Sequence, residues 1–151
     1  MTKKLLVIHH TPSPATRELL EAVLAGANDP EITGVDVVAR PALAGTVPDM
    51  LGADGYLFGT TANLGYMSGA LKHFFDTVYY PVLDHVAARP YGLWVHGNND
   101  TVGAANAVDK VATGLSLVKA ADVLEVVGGI DAAIRERAYE LGGTLAATLM
   151  E

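Results

Sequence analysis

YLFGTTANLGYMSGALKHFFDTV, residues 56–78, holds an apolar run, a loop of small polar residues and an amphipathic helix in direct succession. Tyr56–Thr60 is short, apolar on both sides, and stops at small polar residues. That is how a strand buried on both faces reads. Met67–Val78 places Ala70, Leu71, Phe74, Phe75 and Val78 on one helical face. A strand buried on two sides that feeds a helix buried on one is a βα unit of a parallel sheet.

The same unit recurs on either side. Lys4–His10 (KLLVIHH) reads as a first strand, broken by Thr11–Ala15 with its two prolines. Thr16–Ala27 follows as a helix with Leu19, Leu20, Val23 and Leu24 inward; Ser13 suits its N-cap and Pro14 its first position. Gly34–Ala39 is a second strand, Arg40–Val47 a loop and Met50–Ala53 a short helical piece. Pro81 ends the helix begun at Met67 or sits just past it. Tyr91–His96 is a fourth strand, Gly97–Thr101 a polar loop, and Ala104–Leu115 a helix. Val123–Val127 is a fifth strand, and Asp131 caps a last helix with Ile134, Ala138, Leu141, Leu145 and Leu149 inward. The expectation is an α/β fold: a doubly wound, five-stranded parallel sheet with helices on both faces, one domain over residues 1–151.

Composition narrows the function. Ten Lys and Arg against 17 Asp and Glu leave a formal charge of −7, which disfavours nucleic acid and anionic membranes as partners. The absence of cysteine excludes disulfides, thiol catalysis and iron–sulfur ligation, and fits a cytoplasmic location. Leu5–Ile8 is too short for a signal peptide, and no run approaches the roughly 20 apolar residues of a membrane span.

An open parallel sheet binds ligands at the carboxyl ends of its strands. That rule selects Thr11–Thr16, Thr60–Ser68 and His96–Gly103, all rich in polar or small residues. Thr11, Ser13 and Thr16 bring three hydroxyls to a helix start, where unpaired N–H groups suit a phosphate. Pro12 and Pro14 remove two of those donors, so the amides of Ser13, Ala15 and Thr16 are the ones left to serve.

Gly59, Thr60, Gly65, Met67, Ser68, Lys72, Phe74 and Asp76 stand where the flavodoxin-like NAD(P)H-dependent FMN and quinone reductases carry their second-loop signature. Thr61 stands where that family has proline. Thr11, Ser13 and Thr16 resemble the flavodoxin phosphate loop, with Pro14 in place of its glycine. The resemblance implies FMN, with its phosphate at Thr11–Thr16 and its ring between the second and third loops. It puts Thr61, Ala62, Asn63, Leu64, Gly65 and Tyr66 along the ring edge and Gly97, Asn98, Asn99 and Asp100 at the pyrimidine end, with Thr60 and His96 also among the cofactor-binding candidates. The side chains of Asn63, Asn98, Asn99 and Asp100 supply the donors and acceptors such a ring needs.

Two activities go with that resemblance: hydride transfer from NAD(P)H through FMN to a quinone or similar acceptor, and one-electron carriage. The loop Gly97–Gly103 has no aromatic residue to shield the ring, which favours the reductase. His96 and Tyr66 are the candidates to meet substrate or ring; no catalytic residue is assigned. A non-catalytic flavin-binding module is a further alternative. A metal site is not expected, because His9 and His10 are strand neighbours and point to opposite faces. A serine hydrolase fails on spacing, a phosphate-accepting receiver domain lacks an aspartate after the third strand, and no P-loop is present. Tyr79-Tyr80-Pro81 is a candidate contact for a homodimer.

Overall fold

Alternation along the central strands divides the apolar residues between two cores, one on each face of a single sheet. The computed structural model describes residues 2–150. The chain runs β1 (Lys3–His9), α1 (Pro14–Ala27), β2 (Val35–Pro41), a 3-10 turn (Ala42–Ala44), α2 (Val47–Gly52), β3 (Gly55–Asn63) and β4 (Tyr66–Met67). It continues as α3 (Gly69–Val82), β5 (Pro90–Gly97), α4 (Val102–Gly114), β6 (Val118–Lys119), β7 (Leu124–Val127) and α5 (Ala132–Thr148).

Leu5, Val7, Leu57, Trp94 and Val126 face α1 and α5, where they pack with Leu19, Val23, Leu141 and Leu145. Leu6, Ile8, Phe58, Leu93 and Val95 face the other way, onto Leu71, Phe74, Phe75 and Val78 of α3 and Val108 of α4. Successive strand residues point to opposite faces, so a continuous apolar run is what burial on both faces requires. Each such side chain contributes about 1.5–3 kcal/mol by leaving water.

The order β2-β1-β3-β5 is parallel throughout, with β6 and β7 both pairing parallel with β5. The five expected strands are present, but the sheet has seven. The extra two are β4 and β6, of two residues each. β6 pairs with Pro90 and Tyr91 at the start of β5, and β7 with Trp94–Gly97 at its end. The last edge strand is therefore split around Ala120–Val123. Chain order reverses between β1 and β3, which is where ligands enter sheets of this kind.

Two boundaries differ from expectation in ways that shape the site. β3 runs on to Asn63 and turns back through Leu64 and Gly65 into β4, so the second loop is a hairpin instead of a loop beginning at Thr60. Leu64 and Gly65 have φ of 52° and 76°, the left-handed conformation that tight hairpin turns demand. Pro81 lies inside the last turn of α3, at the cost of the bond its nitrogen would have donated to Thr77. Among the described residues no helix is long and apolar enough to cross a membrane.

Candidate functional site

A cleft of about 840 Å³ opens at the carboxyl ends of the central strands. The β1–α1 loop contributes His10, Pro12, Ser13, Pro14 and Ala15; the end of β3 contributes Thr61, Ala62 and Asn63. The end of β5 adds His96, Gly97 and Asn98, and the turn after β7 adds Gly128 and Gly129. The size is within the roughly 300–1,000 Å³ of ordinary small-molecule sites.

Small residues bring these segments together. A Cβ on Gly97 would stand 3.0 Å from the Cβ of Ala62 and 3.2 Å from Cγ2 of Thr101, so glycine lets β3, β5 and the start of α4 converge. His96 Nε2 lies 2.7 Å from the Gly128 carbonyl oxygen and donates to it, which leaves Nδ1 as an acceptor in the neutral ring. The Gly128 N–H in turn donates to the Gly97 carbonyl at 2.9 Å, and Gly128 holds φ at 84°. Across the cleft, the Thr61 hydroxyl donates to Asn63 Oδ1 at 2.7 Å, leaving the Asn63 NH₂ to donate elsewhere. The site thus offers two amide side chains, the imidazoles of His10 and His96 and closely approachable backbone, and among its lining residues no carboxylate.

Eight of the sixteen residues expected at the site line the cleft: Ser13, Ala15, Thr61, Ala62, Asn63, His96, Gly97 and Asn98. The others have different surroundings. Thr16 is buried inside the cap of α1, where its hydroxyl donates to the Ser13 carbonyl at 2.9 Å. Thr60 is also buried: it donates to the Thr61 carbonyl and accepts from the Ser68 N–H, clamping the hairpin. Thr11 pairs with His9 Nδ1 at 2.8 Å and lines an adjoining cavity. Leu64, Gly65 and Tyr66 form the exposed hairpin tip, away from the cleft lining. Asn99 and Asp100 are exposed beyond it, with Asp100 accepting from the Val102 N–H at the start of α4.

Much of the second-loop signature does architectural work. Gly59 sits opposite Trp94, whose ring leaves no room for a side chain: a Cβ would fall 2.0 Å from it. Ser68 caps α3 by accepting from the Leu71 N–H; Met67 and Phe74 are core; Lys72 and Asp76 pair at 2.6 Å on the surface. His10, Pro12 and Pro14, in or beside the expected phosphate loop, also line the cleft, as do Gly128 and Gly129, which reasoning from sequence does not place there. The signal for the glycine pair is its position directly after the last apolar run, at the same sheet edge as the other three loops.

A doubly wound sheet of this order, with its cleft at the switch point, defines the flavodoxin-like proteins. No family model matches the chain. A flavodoxin of Aquifex aeolicus (strain VF5) is 37% identical over 75 residues, a match that takes in 50% of this chain and 40% of that protein. A flavodoxin from the domain Archaea superposes with a TM-score of 0.83 at 14% identity, covering 97% of this chain and 98% of that one. A flavodoxin, WrbA-like protein from Agrobacterium tumefaciens superposes with a TM-score of 0.78 at 15% identity, covering 98% of each. The chain has the flavodoxin-like fold over 97% of its length, and half of it resembles a flavodoxin in sequence.

Proposed function

We propose that the cleft binds FMN and that the protein transfers electrons through it as a flavodoxin-type carrier, working in the cytoplasm with a small-molecule or protein redox partner. The observation that carries this reading is the cleft itself, where four strand ends meet with small residues and a few polar groups. A flavin ring is a flat, largely apolar body with a few polar edge atoms. Ala62, Gly97, Gly128 and Gly129 suit its flat surface by letting backbone approach closely. The amides of Asn63 and Asn98 suit its carbonyls, and backbone carbonyls its N–H.

Bound FMN would supply the redox chemistry, and the chain's share is placement. The Thr61–Asn63 strand end and the His96–Asn98 segment would orient the ring from two sides. The His96–Gly128 bond would keep the turn after β7 from drifting into the cleft. The resemblance to a flavodoxin in half the chain supports the carrier over other flavin chemistry.

A second reading is favoured by one specific observation. The segment Gly97–Gly103 holds no aromatic residue, and Asn98, Asn99 and Asp100 are exposed, so one side of the cleft is open to a second flat molecule. In that reading NAD(P)H passes hydride through FMN to a quinone or similar acceptor. Tyr80, 80% exposed beside Tyr79 on α3, is where a second copy would pack in a homodimer.

The experiment is anaerobic reduction of the FMN-loaded protein. A carrier is reduced by a one-electron donor and left oxidised by NADH and NADPH. Rapid bleaching by either nucleotide would establish the reductase instead. A protein that takes up no flavin would overturn both.

A further inference from the structure

We propose that the phosphate of the bound flavin is held by side chains, the Arg17 guanidinium with the imidazoles of His9 and His10, in place of the backbone amides of the β1–α1 loop. The inference rests on the FMN reading above and names how that site takes its anionic end.

The loop has almost no donors left to give. Pro12 and Pro14 carry no N–H. The Ser13 N–H donates to Thr16 Oγ1 at 3.0 Å, the Thr16 N–H to Ser13 Oγ at 3.3 Å, and the Arg17 N–H to the Ser13 carbonyl at 3.0 Å. Both hydroxyls of the cap lie 2.9 Å apart and satisfy each other or the same backbone. Of the amides in this loop, those of Thr11 and Ala15 alone have no partner among the described residues. Two N–H groups are a thin match for a phosphate with three acceptor oxygens.

The complement lies just around His10. A second cavity of about 300 Å³ is lined by His9, His10, Thr11 and Arg17, with Pro41 and Leu43 opposite. His10 lines both this cavity and the flavin cleft, so the two adjoin at that residue. Arg17 is exposed and has no acidic partner among the described residues, in a chain of net charge −7. By contrast Arg40 pairs with Asp49, Arg135 with Glu18, Lys72 with Asp76 and Lys119 with Asp109. A cation left unpaired at a cavity wall, beside two imidazoles, is an arrangement an anion completes.

Charge at the pocket supports the same conclusion. Burial holds the His9 ring below its ordinary pKa of 6.5, and His10 and Arg17 push it further down. The charged groups on the surrounding elements are Arg17, Glu18 and Glu21 on α1, Arg40 at the end of β2, and Lys72 and His73 on α3. Glu18 is occupied by Arg135, and Arg40 and Lys72 by their own partners. An anion among His9, His10 and Arg17 would raise the His9 pKa and take up a proton, so binding tightens as pH falls.

The test compares FMN with riboflavin, which lacks the phosphate, on the wild type, Arg17→Ala, His10→Ala and the surface control Arg135→Ala. The expected result is FMN bound more tightly than riboflavin by the wild type. Arg17→Ala should erase that preference by roughly tenfold or more, the size of one lost charge-assisted bond, with riboflavin affinity little changed. A preference that survives both Arg17→Ala and His10→Ala would overturn the inference and return the phosphate to the loop. Equal affinity for the two flavins in the wild type would overturn it too, while leaving the flavin reading standing. Sulfate, whose charge is constant across the range, is titrated separately while the His9 and His10 ring resonances are followed at pH 8 and pH 6. Arg17-dependent shifts that saturate at lower sulfate at pH 6 support the pocket even if no flavin binds, which would count against the flavin reading alone. No sulfate response at either pH would overturn the pocket whatever flavin does.

Discussion

Gly103→Ala reaches the site from behind. Gly103 is in the first turn of α4 and packs against the tip of the β3–β4 hairpin. A Cβ there would lie 2.1 Å from the Gly65 carbonyl oxygen and 3.0 Å from its carbon. Real Cβ contacts do not fall below 3.0 Å, so the hairpin must retreat by about 0.9 Å, the difference between 3.0 and 2.1 Å. The obstacle is backbone and cannot rotate aside. Overpacking of this kind costs about 1–3 kcal/mol. At about 2–4 °C per kcal/mol for a chain of this size, a cost near 2 kcal/mol lowers Tm by about 4–8 °C. Asn63 is on the displaced hairpin and lines the cleft, so FMN affinity should fall roughly tenfold, as for one weakened buried hydrogen bond. Differential scanning calorimetry and a flavin fluorescence titration read the two effects. Gly69→Ala is the control. Beyond its chain neighbours and its own helix backbone, nothing stands within 4 Å of where its Cβ would lie, and alanine suits a helix start, so both readings should stay unchanged. A Gly103→Ala protein with wild-type Tm and wild-type FMN affinity would refute the claim that α4 props the hairpin against the cleft.

Arg89→Ala should cost about 2–4 kcal/mol in chemical denaturation, because one guanidinium nitrogen lies within 2.8–3.2 Å of the carbonyls of Met50, Leu51 and Ala53 and of the Tyr56 hydroxyl, and caps α2. Leu64→Asn should stabilise by up to about 1 kcal/mol, since Leu64 is fully exposed at a φ of 52° that asparagine tolerates better; a loss of stability would contradict the turn geometry. His9 has a folded pKa below its unfolded one, so the unfolded chain gains the proton first as pH falls. Stability should therefore be full above pH 6.5 and decline below it, and His9→Gln should flatten that decline in urea titrations from pH 7 to pH 5.

The strands were legible because burial on two faces leaves a mark that composition cannot hide: Leu5–Ile8, Tyr56–Phe58 and Tyr91–Val95 are apolar without a break. The helices were legible for the opposite reason, since each buries one stripe. What could not be read was the partner of each hydroxyl. Thr16 and Thr60 look like ligand donors in the sequence, yet both spend their hydroxyls on backbone in the cap of α1 and the root of the hairpin. The extension of β3 was hidden because Thr61 is polar and pairs with His96 at the very end of β5, and Ala62 and Asn63 pair only with the short β4. The turn that reverses it uses Leu64 where Asn would announce a hairpin. Gly128 and Gly129 enter the site through topology, by way of β7 lying beside β5, and pairing between distant strands leaves no local trace.

The most direct measurement is a titration of the purified apoprotein with FMN, followed by the visible difference spectrum and repeated on His96→Ala. The account predicts saturation at one equivalent with a perturbed flavin spectrum, and weaker binding in the variant that frees the Gly128 turn. An FMN spectrum unchanged by the protein at any concentration would contradict it.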